Sequence, residues 1–554
     1  MNKNLKRAFS LLLAVLMLAA VLTASGCSYE DDETFNEKAD SSRTQIYVGY
    51  FNGGLGLKWL EEVKNQFEEI YPEYQIMIDT GKDEFQTEML LSNIRTNRQD
   101  MYLVDGADYY RMINNGVLQD VTEAVTTPLT EFGESASIAD KMNDSLRDFY
   151  CTNSEQYYAV PLYQSAHHII YDADLFDQYA LWFKDGGGFV SSADDKKSAG
   201  QDGEYGTWDD GLPATYSDFF AMMDRMVARG ITPMTWTGQY ADEYLTNFVY
   251  SLVSNYEGEQ FRTNYNYNGE TKVLTNRDFT ESSEKTFALD PADWETASVT
   301  VNNFADYMHS TAGKYFAIKF CKDLASNSAY RKYNYAESHT AVQRSYLMSN
   351  MAGVDAPIAM LIEGGWWMNE ASSVFAEMAT YDEKYAMENR RFGVMPLPKA
   401  DDGSSAEGQY WAPFSGTSAV FISPYSKNIE GATLFFRYLH SEKALQTATL
   451  HSGVLRPYTY DTKAIYDQVP YYVQSVIDAA ADTTFIYKVS TGALKEDYTT
   501  MNFMTYGGFM GTRWKNIASA NPIIFFCDNA SATAKDYFLG MKEVFTDNIP
   551  THLK

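Results

Sequence analysis

The stretch Ala359-Met360-Leu361-Ile362-Glu363-Gly364-Gly365-Trp366-Trp367 constrains this chain more than any other. An apolar run of strand type halts at an acid and two glycines, and two adjacent tryptophans then open a helix. Glycine lets backbone approach another group closely, and tryptophan presents a large flat face. Two readings stay open from these residues alone: a core strand turning into a core helix, or a strand end that carries aromatic faces to a ligand.

The first part of the chain sets the fold class. Gln45-Ile46-Tyr47-Val48-Gly49-Tyr50-Phe51 has strand composition, and Asn52-Gly53-Gly54 breaks it. Leu57, Leu60, Val63, Phe67 and Ile70 keep a helical period up to Pro72, and Tyr74-Gln75-Ile76-Met77-Ile78 reads as a second strand. This β-α-β unit predicts an α/β fold. Residues 85–97 carry a further amphipathic helix, and Met101-Tyr102-Leu103-Val104-Asp105 a further strand ending in an acid. Ligands of open α/β sheets lie beyond the carboxyl ends of the strands, so Tyr50, Asn52 and Asp105 are candidates to line a crevice. For Asp105, a simple cap on the next turn is the competing reading. Gly53-Gly54-x-Gly56 lacks the GxGxxG register, and no P-loop lysine is placed, so it reads as a loop before a helix.

The N-terminus carries an address. Residues 1–7 are basic, 8–22 nearly all apolar, and Leu22-Thr23-Ala24-Ser25-Gly26-Cys27 places small residues before a cysteine. The apolar run is short for a spanning helix, and no basic stop follows it. The segment resembles a bacterial lipoprotein signal, which implies removal of residues 1–26 and acylation of Cys27, with two or more acyl chains giving stable anchoring. Ordinary cleavage near Ala24 with a free Cys27 is the alternative. Residues 27–42 are acidic and polar and read as a flexible tether, about 20–25 Å end to end. Without Lys3, Lys6 and Arg7 of the signal, 41 basic side chains face 74 acidic ones, a charge of −33 against −30 for the full chain. That field repels phosphate backbones and excludes nucleic acid as a partner. Beyond Cys27, only Cys151, Cys321 and Cys527 remain, an odd set whose spacing suggests neither a disulfide framework nor a zinc site.

Several further segments carry a resemblance in order along the chain. Gln156-Tyr157-Tyr158-Ala159-Val160-Pro161-Leu162-Tyr163 is followed by Ile169-Ile170-Tyr171-Asp172-Ala173-Asp174-Leu175-Phe176, then by Leu212-Pro213-Ala214-Thr215-Tyr216-Ser217-Asp218-Phe219 and Gly230-Ile231-Thr232-Pro233 before Met234-Thr235-Trp236. The 359–366 turn comes next, then Phe392-Gly393-Val394-Met395-Pro396-Leu397-Pro398, the helix beginning Ser426-Lys427-Asn428-Ile429-Glu430-Gly431-Ala432, and Gly453-Val454-Leu455-Arg456-Pro457. Taken together across residues 45–460, these resemble the extracellular solute-binding proteins of ABC sugar importers, the maltose-binding-like group.

The resemblance implies a two-lobed, periplasmic-binding-protein-like fold of class II type. Each lobe would be a sheet flanked by helices, with the ligand cleft between them. Residues 43–164 plus 397–453 would form lobe 1, and 165–396 plus 454–554 lobe 2. It implies a surface-anchored monomer on the outer face of the bacterial cytoplasmic membrane, touching that membrane through its lipid alone. Such a protein captures a carbohydrate, here an oligosaccharide, and delivers it to the importer's permease subunits; a peptide or small metabolite is the alternative ligand. Trp366 aligns with the family's stacking tryptophan, and Trp236 and Trp411 fall in segments expected at the cleft. Tyr163, Gln164, Glu363 and Arg456 join Tyr50, Asn52 and Asp105 as polar candidates. Adjacent helical residues point about 100° apart, which predicts Trp366 in the cleft and Trp367 partly in the core.

Two stretches depart from the compact pattern of that group. Residues 184–211 are rich in Gly, Asp and Ser, and Asp202, Glu204, Asp209 and Asp210 crowd around glycines as the ligands of a hard cation do, without EF-hand spacing. A structural calcium and a solvated loop are the two readings. Residues 255–304 alternate near Lys272-Val273-Leu274 and suggest a hairpin inserted on lobe 2. No G-x-S-x-G or H-E-x-x-H motif occurs, so a glycosidase would rest on carboxylate pairs such as Asp105 with Glu363. No cofactor is required.

Overall fold

The computed structural model describes residues 35–554 apart from 82–86, 282–286, 289, 352, 355, 414–417, 492–493 and 498–507. The signal segment, Cys27 and the tether as far as residue 34 lie outside the described residues, as does the start of the helix expected over 85–97, which is described over Thr87–Asn93.

Two sheets form the two lobes. In lobe 1, β1 (Thr44–Tyr50) lies parallel to β2 (Tyr74–Asp79) and β3 (Met101–Val104), with helix α1 (Lys58–Ile70) as the crossover between β1 and β2. Apolar Leu60, Val63 and Phe67 recur at helical spacing on α1, and all three are buried. In lobe 2, β4 (His168–Asp172) pairs antiparallel with β9 (Ile358–Glu363), which runs parallel to β5 (Thr232–Trp236). β8 (Arg331–Lys332) and β10 (Phe392–Met395) form its edges, giving the order β10-β4-β9-β5-β8. Every residue of β9 is buried, as expected of a strand covered on both faces. The hairpin of β6 (Gly269–Leu274) and β7 (Trp294–Val299) lies within 255–304.

Three crossings between the lobes can be followed among the described residues. Val160 bridges Val420 in lobe 1 before residue 168 enters β4. The return differs from the expected boundary at 397. Leu397, Ala400, Trp411 and Ala412 pack into the lobe 2 core, and β11 (Gln409–Trp411) pairs with β13 (Thr483–Phe485). Asn255 holds the carbonyl of Leu397 at 2.9 Å, which keeps this segment on lobe 2. Lobe 1 resumes with β12 (Ala419–Ile422), antiparallel to β3, giving the order β12-β3-β1-β2. In the third crossing Val454 and Tyr458 still belong to the lobe 1 core, while Ile465 belongs to lobe 2. Tyr487 and Val489 also touch the lobe 1 core, so the expected assignment of 454–554 to lobe 2 is too simple.

The end of the expected tether is not free. Phe35 bridges Asp79, the amide of Asn36 donates to the carbonyl of Ile78 at 3.0 Å, and the Asn36 side chain accepts from Ile78 at 2.9 Å. Glu37 pairs with Lys64 at 3.1 Å. Residues 35–37 thus clip onto the edge strand of lobe 1. The three cysteines are free thiols, Cys321 buried and Cys151 and Cys527 partly so.

Candidate functional site

The carboxyl ends of β1 and β3 in lobe 1 meet those of β5 and β9 in lobe 2. Trp366 sits in the seam. Its backbone follows β9, yet its indole packs with the lobe 1 core and is 6% exposed. Three aromatic rings stand around it: Tyr163 at 6.2 Å and 88°, His167 at 5.3 Å and 85°, and Tyr244 at 6.1 Å and 76°. These near-perpendicular contacts are of the edge-to-face kind. Tyr244 stacks in turn on Tyr240 at 6.0 Å and 22°, and Tyr240 is 41% exposed, so the aromatic surface continues outward from the seam.

The turn beneath Trp366 explains its glycines. A Cβ on Gly364 would lie 2.5 Å from Trp366 Cζ2, and one on Gly365 would lie 2.9 Å from Ser165 Oγ, which accepts the Gly365 amide at 2.8 Å. The indole folds back over its own turn, and the turn presses on the first crossover. From lobe 1, Gly54 faces the same indole in the left-handed region at φ +85°, where a Cβ would fall 2.6 Å from Trp366 Cδ1 and 2.7 Å from Glu370 Oε1. Trp367 is fully buried among Tyr346, Phe375, Phe392 and Tyr472.

Charge gathers beside the aromatic group. Tyr163 donates to Asp105 Oδ2 at 2.6 Å, and burial together with that carboxylate raises the tyrosine well above its usual pKa. Glu243 of lobe 2 is raised by burial and by Asp105 across the seam. Lys488 is pulled down to about 7 by burial, against the opposing pull of Glu243 and Asp105, and it donates to Asn247. Burial, with Lys488 next, keeps His167 neutral. The arrangement offers carboxylates, a lysine and aromatic faces to whatever enters between the lobes.

Of the sequence candidates, Trp366, Tyr163 and Asp105 come together here. Asn52 stands nearby, but its side-chain oxygen accepts the Gly56 amide at 2.8 Å and shapes the loop that carries Gly54. Others serve the framework instead. Tyr50 is fully buried, accepting from Trp59 Nε1 at 2.8 Å and donating to the Gly56 carbonyl at 2.7 Å. Trp236 is fully buried against Tyr333, because β5 is covered on both sides by its lobe. Trp411, 2% exposed, packs on His168 and Phe485. Gln164 staples the crossings through its amide to the Leu455 carbonyl at 2.9 Å and through Tyr487, whose hydroxyl donates to its side chain. Arg456 lies over Trp59 at 4.5 Å and donates to the Leu162 carbonyl at 3.1 Å. Glu363 is wholly buried under the turn, accepting the Gly364 amide at 3.0 Å, and burial with neighbouring Glu370 raises its pKa well above the usual range.

The acids proposed for calcium do not converge. Asp209 accepts from the Gln201 amide at 2.6 Å and from Thr207 at 2.9 Å, Asp202 from the Glu204 amide at 2.7 Å, and Asp210 from the Gly206 amide at 2.8 Å. They close turns of their own loop. Among the described residues no group of three or more His, Cys, Asp or Glu side chains is placed to hold a metal ion.

Sequence reasoning missed Tyr240, Tyr244, Glu243, His167 and Lys488. Tyr240 and Tyr244 are spaced i, i+4 around the start of helix α2 (Ala241–Glu257), a signal that places both on one face just beyond β5. Lys488 carried no signal, since only the folded chain brings residues 485–489 back to the seam.

The sequence profile of the bacterial extracellular solute-binding proteins matches residues 53–446. Solved structures share the fold at low identity. BlMnBP1, the binding protein of an ABC transporter from Bifidobacterium animalis subsp. lactis in complex with mannobiose, is 13% identical over 91% of this chain and 94% of its own, with a TM-score of 0.53. The GacH receptor of Streptomyces glaucescens, solved unliganded and with acarbose, is 12% identical over 92% and 98%, with a TM-score of 0.52. RafE from Streptococcus pneumoniae, in its apo form, is 13% identical over 92% and 100%, with a TM-score of 0.50. No curated protein matches the chain.

Proposed function

As the chain belongs to the bacterial extracellular solute-binding protein family, we propose that it captures an oligosaccharide outside the cell and delivers it to the membrane permease of an ABC importer. The observation that carries this reading is the placement of Trp366 between the lobes, ringed by Tyr163, His167 and Tyr244. A pyranose has apolar C–H faces and hydroxyl edges, so it asks for flat aromatic surface beside fixed polar groups, which Asp105, Glu243 and Lys488 provide. The outward step from Tyr244 to Tyr240 suits a ligand longer than one ring. The family neighbours were solved with mannobiose and acarbose, which agrees with that ligand class.

Ligand between the lobes favours their closed arrangement by the contacts it makes to both at once. The protein acts as a carrier and cleaves no glycosidic bond. Acylation at Cys27 would hold it as a monomer on the outer face of the cytoplasmic membrane. Titration calorimetry against starch- and plant-derived oligosaccharides tests the reading, with binding expected below about millimolar, where the free energy is about −4 kcal/mol. Silence across that panel, or new reducing ends on long incubation, would refute it.

A further inference from the structure

The run that leaves β13 touches both lobes in turn. Ile486 packs in the lobe 2 core, whereas Tyr487 and Val489, each 3% exposed, pack in the lobe 1 core. Ser490 Oγ then donates to the Tyr265 carbonyl at 2.9 Å and the Thr491 amide to Asn266 Oδ1 at 2.8 Å, both on lobe 2. Lys495 turns back to lobe 1. It is 6% exposed, and its Nζ donates to the Asp148 carbonyl at 3.0 Å and to Oδ1 of the same residue at 3.3 Å. Glu496 accepts the Asn153 amide at 2.7 Å, and Asp497 pairs with His552 at the C-terminal end of lobe 2.

Beside this run Arg262 of lobe 2 donates directly to Ser145 of lobe 1. All three polar partners on lobe 1 lie on the helix Asp144–Tyr150 or the turn after it, and Leu146, Phe149 and Tyr150 set that helix in the lobe 1 core. The grip shares no residue with the aromatic group around Trp366.

Parting the lobes here would expose Tyr487 and Val489 to water and take the Lys495 ammonium from its acceptors, so these contacts oppose opening whether or not a ligand is present. The same run carries Lys488, which donates to Asn247 and lies in the field of Glu243 and Asp105 at the seam. A ligand that meets Lys488 therefore bears on the run that grips lobe 1. We propose that residues 486–491 and 494–497 form a strap that latches lobe 2 to the helix Asp144–Tyr150, holding the lobes partly together before ligand arrives. Apparent affinity scales with the fraction of protein already in the binding-competent arrangement, so the strap tightens binding without itself enclosing the ligand.

Small-angle scattering on the sugar-free protein tests this whichever sugar binds. The double variant Asp148→Ala with Glu496→Ala changes two side chains that reach the surface. Its radius of gyration is expected to rise by about 0.5–1 Å from the roughly 24 Å of a compact chain this long. Asp144→Ala, which breaks an ion pair inside lobe 1, is expected to leave the radius unchanged. With saturating oligosaccharide the double variant should return to the native radius, and calorimetry should show its affinity lower by about threefold or more. An unchanged sugar-free radius in the double variant, or an expansion that saturating sugar leaves in place, would overturn the proposal. If no sugar binds the native protein while the double variant still expands, the ligand reading fails and this one stands.

Discussion

Gly54→Ala isolates the energetics of lobe closure. The new methyl would sit 2.6 Å from Trp366 Cδ1 and 2.7 Å from Glu370 Oε1, both on the opposite lobe. Ordinary carbon contacts lie at about 3.5–4.0 Å, so the lobes must part by about 1 Å locally. An overpacked contact typically costs about 1–3 kcal/mol. Here it falls on the closed arrangement alone, because separating the lobes relieves it. Ligand that requires closure should then bind about 5- to 150-fold more weakly. Alanine in the left-handed region also adds about 1–2 kcal/mol of strain, open or closed. Gly56→Ala controls for that strain: φ is +74° and nothing lies within 4 Å of its Cβ. Calorimetry with the tightest sugar of the panel should show weakened binding in Gly54→Ala and near-native binding in Gly56→Ala. Small-angle scattering should show the unliganded Gly54→Ala protein expanded. Equal losses in both variants, or none in Gly54→Ala, would refute the reasoning.

Three more outcomes are expected. Trp366→Ala should weaken ligand binding more than tenfold with modest loss of stability, whereas Trp367→Ala should lower stability by about 3–5 kcal/mol, measured by denaturant unfolding, with affinity kept where the protein folds. His168, His309 and His440 are held neutral by burial down to about 3. The unfolded chain takes up protons below about 6.5 while the folded one does not, so stability present above that pH is lost as it falls toward 3. The thermal midpoint should drop from pH 7 to pH 5, and His168→Asn should flatten the slope; a midpoint that rises would contradict this. Arg456→Leu leaves the Leu162 carbonyl unpaired and should cost about 1–3 kcal/mol of lobe 1 stability without altering the ligand series, checked by unfolding and calorimetry together.

The sequence disclosed strand ends better than strand faces. The period of Leu60, Val63 and Phe67 and the glycine stop after Glu363 report local geometry, and local geometry is what short patterns encode. Trp236 and Tyr50 also end strands, but whether a strand-end aromatic points into a lobe or out of it depends on the layer packed above it. Trp236 meets Tyr333, nearly a hundred residues on. Arg456 and Trp411 misled for a related reason: the crossings are buried, and burial turned ligand-type side chains into staples. Lys488 reaches Asn247 only through tertiary folding, so no local window could have chosen it. The acids of 202–210 show the converse, where a dense run of charge accepts from the amides of its own loop.

The clip at Phe35–Glu37 ties the N-terminal end of the described chain to lobe 1. Because the chain is stitched to the edge of lobe 1 before its first strand begins, whatever holds the N-terminus holds that lobe. An anchor on the N-terminus would hold lobe 1 and leave lobe 2 the freer of the two. The clip also covers part of an edge that would otherwise offer unpaired backbone to a neighbouring molecule, a useful guard where many copies crowd one surface.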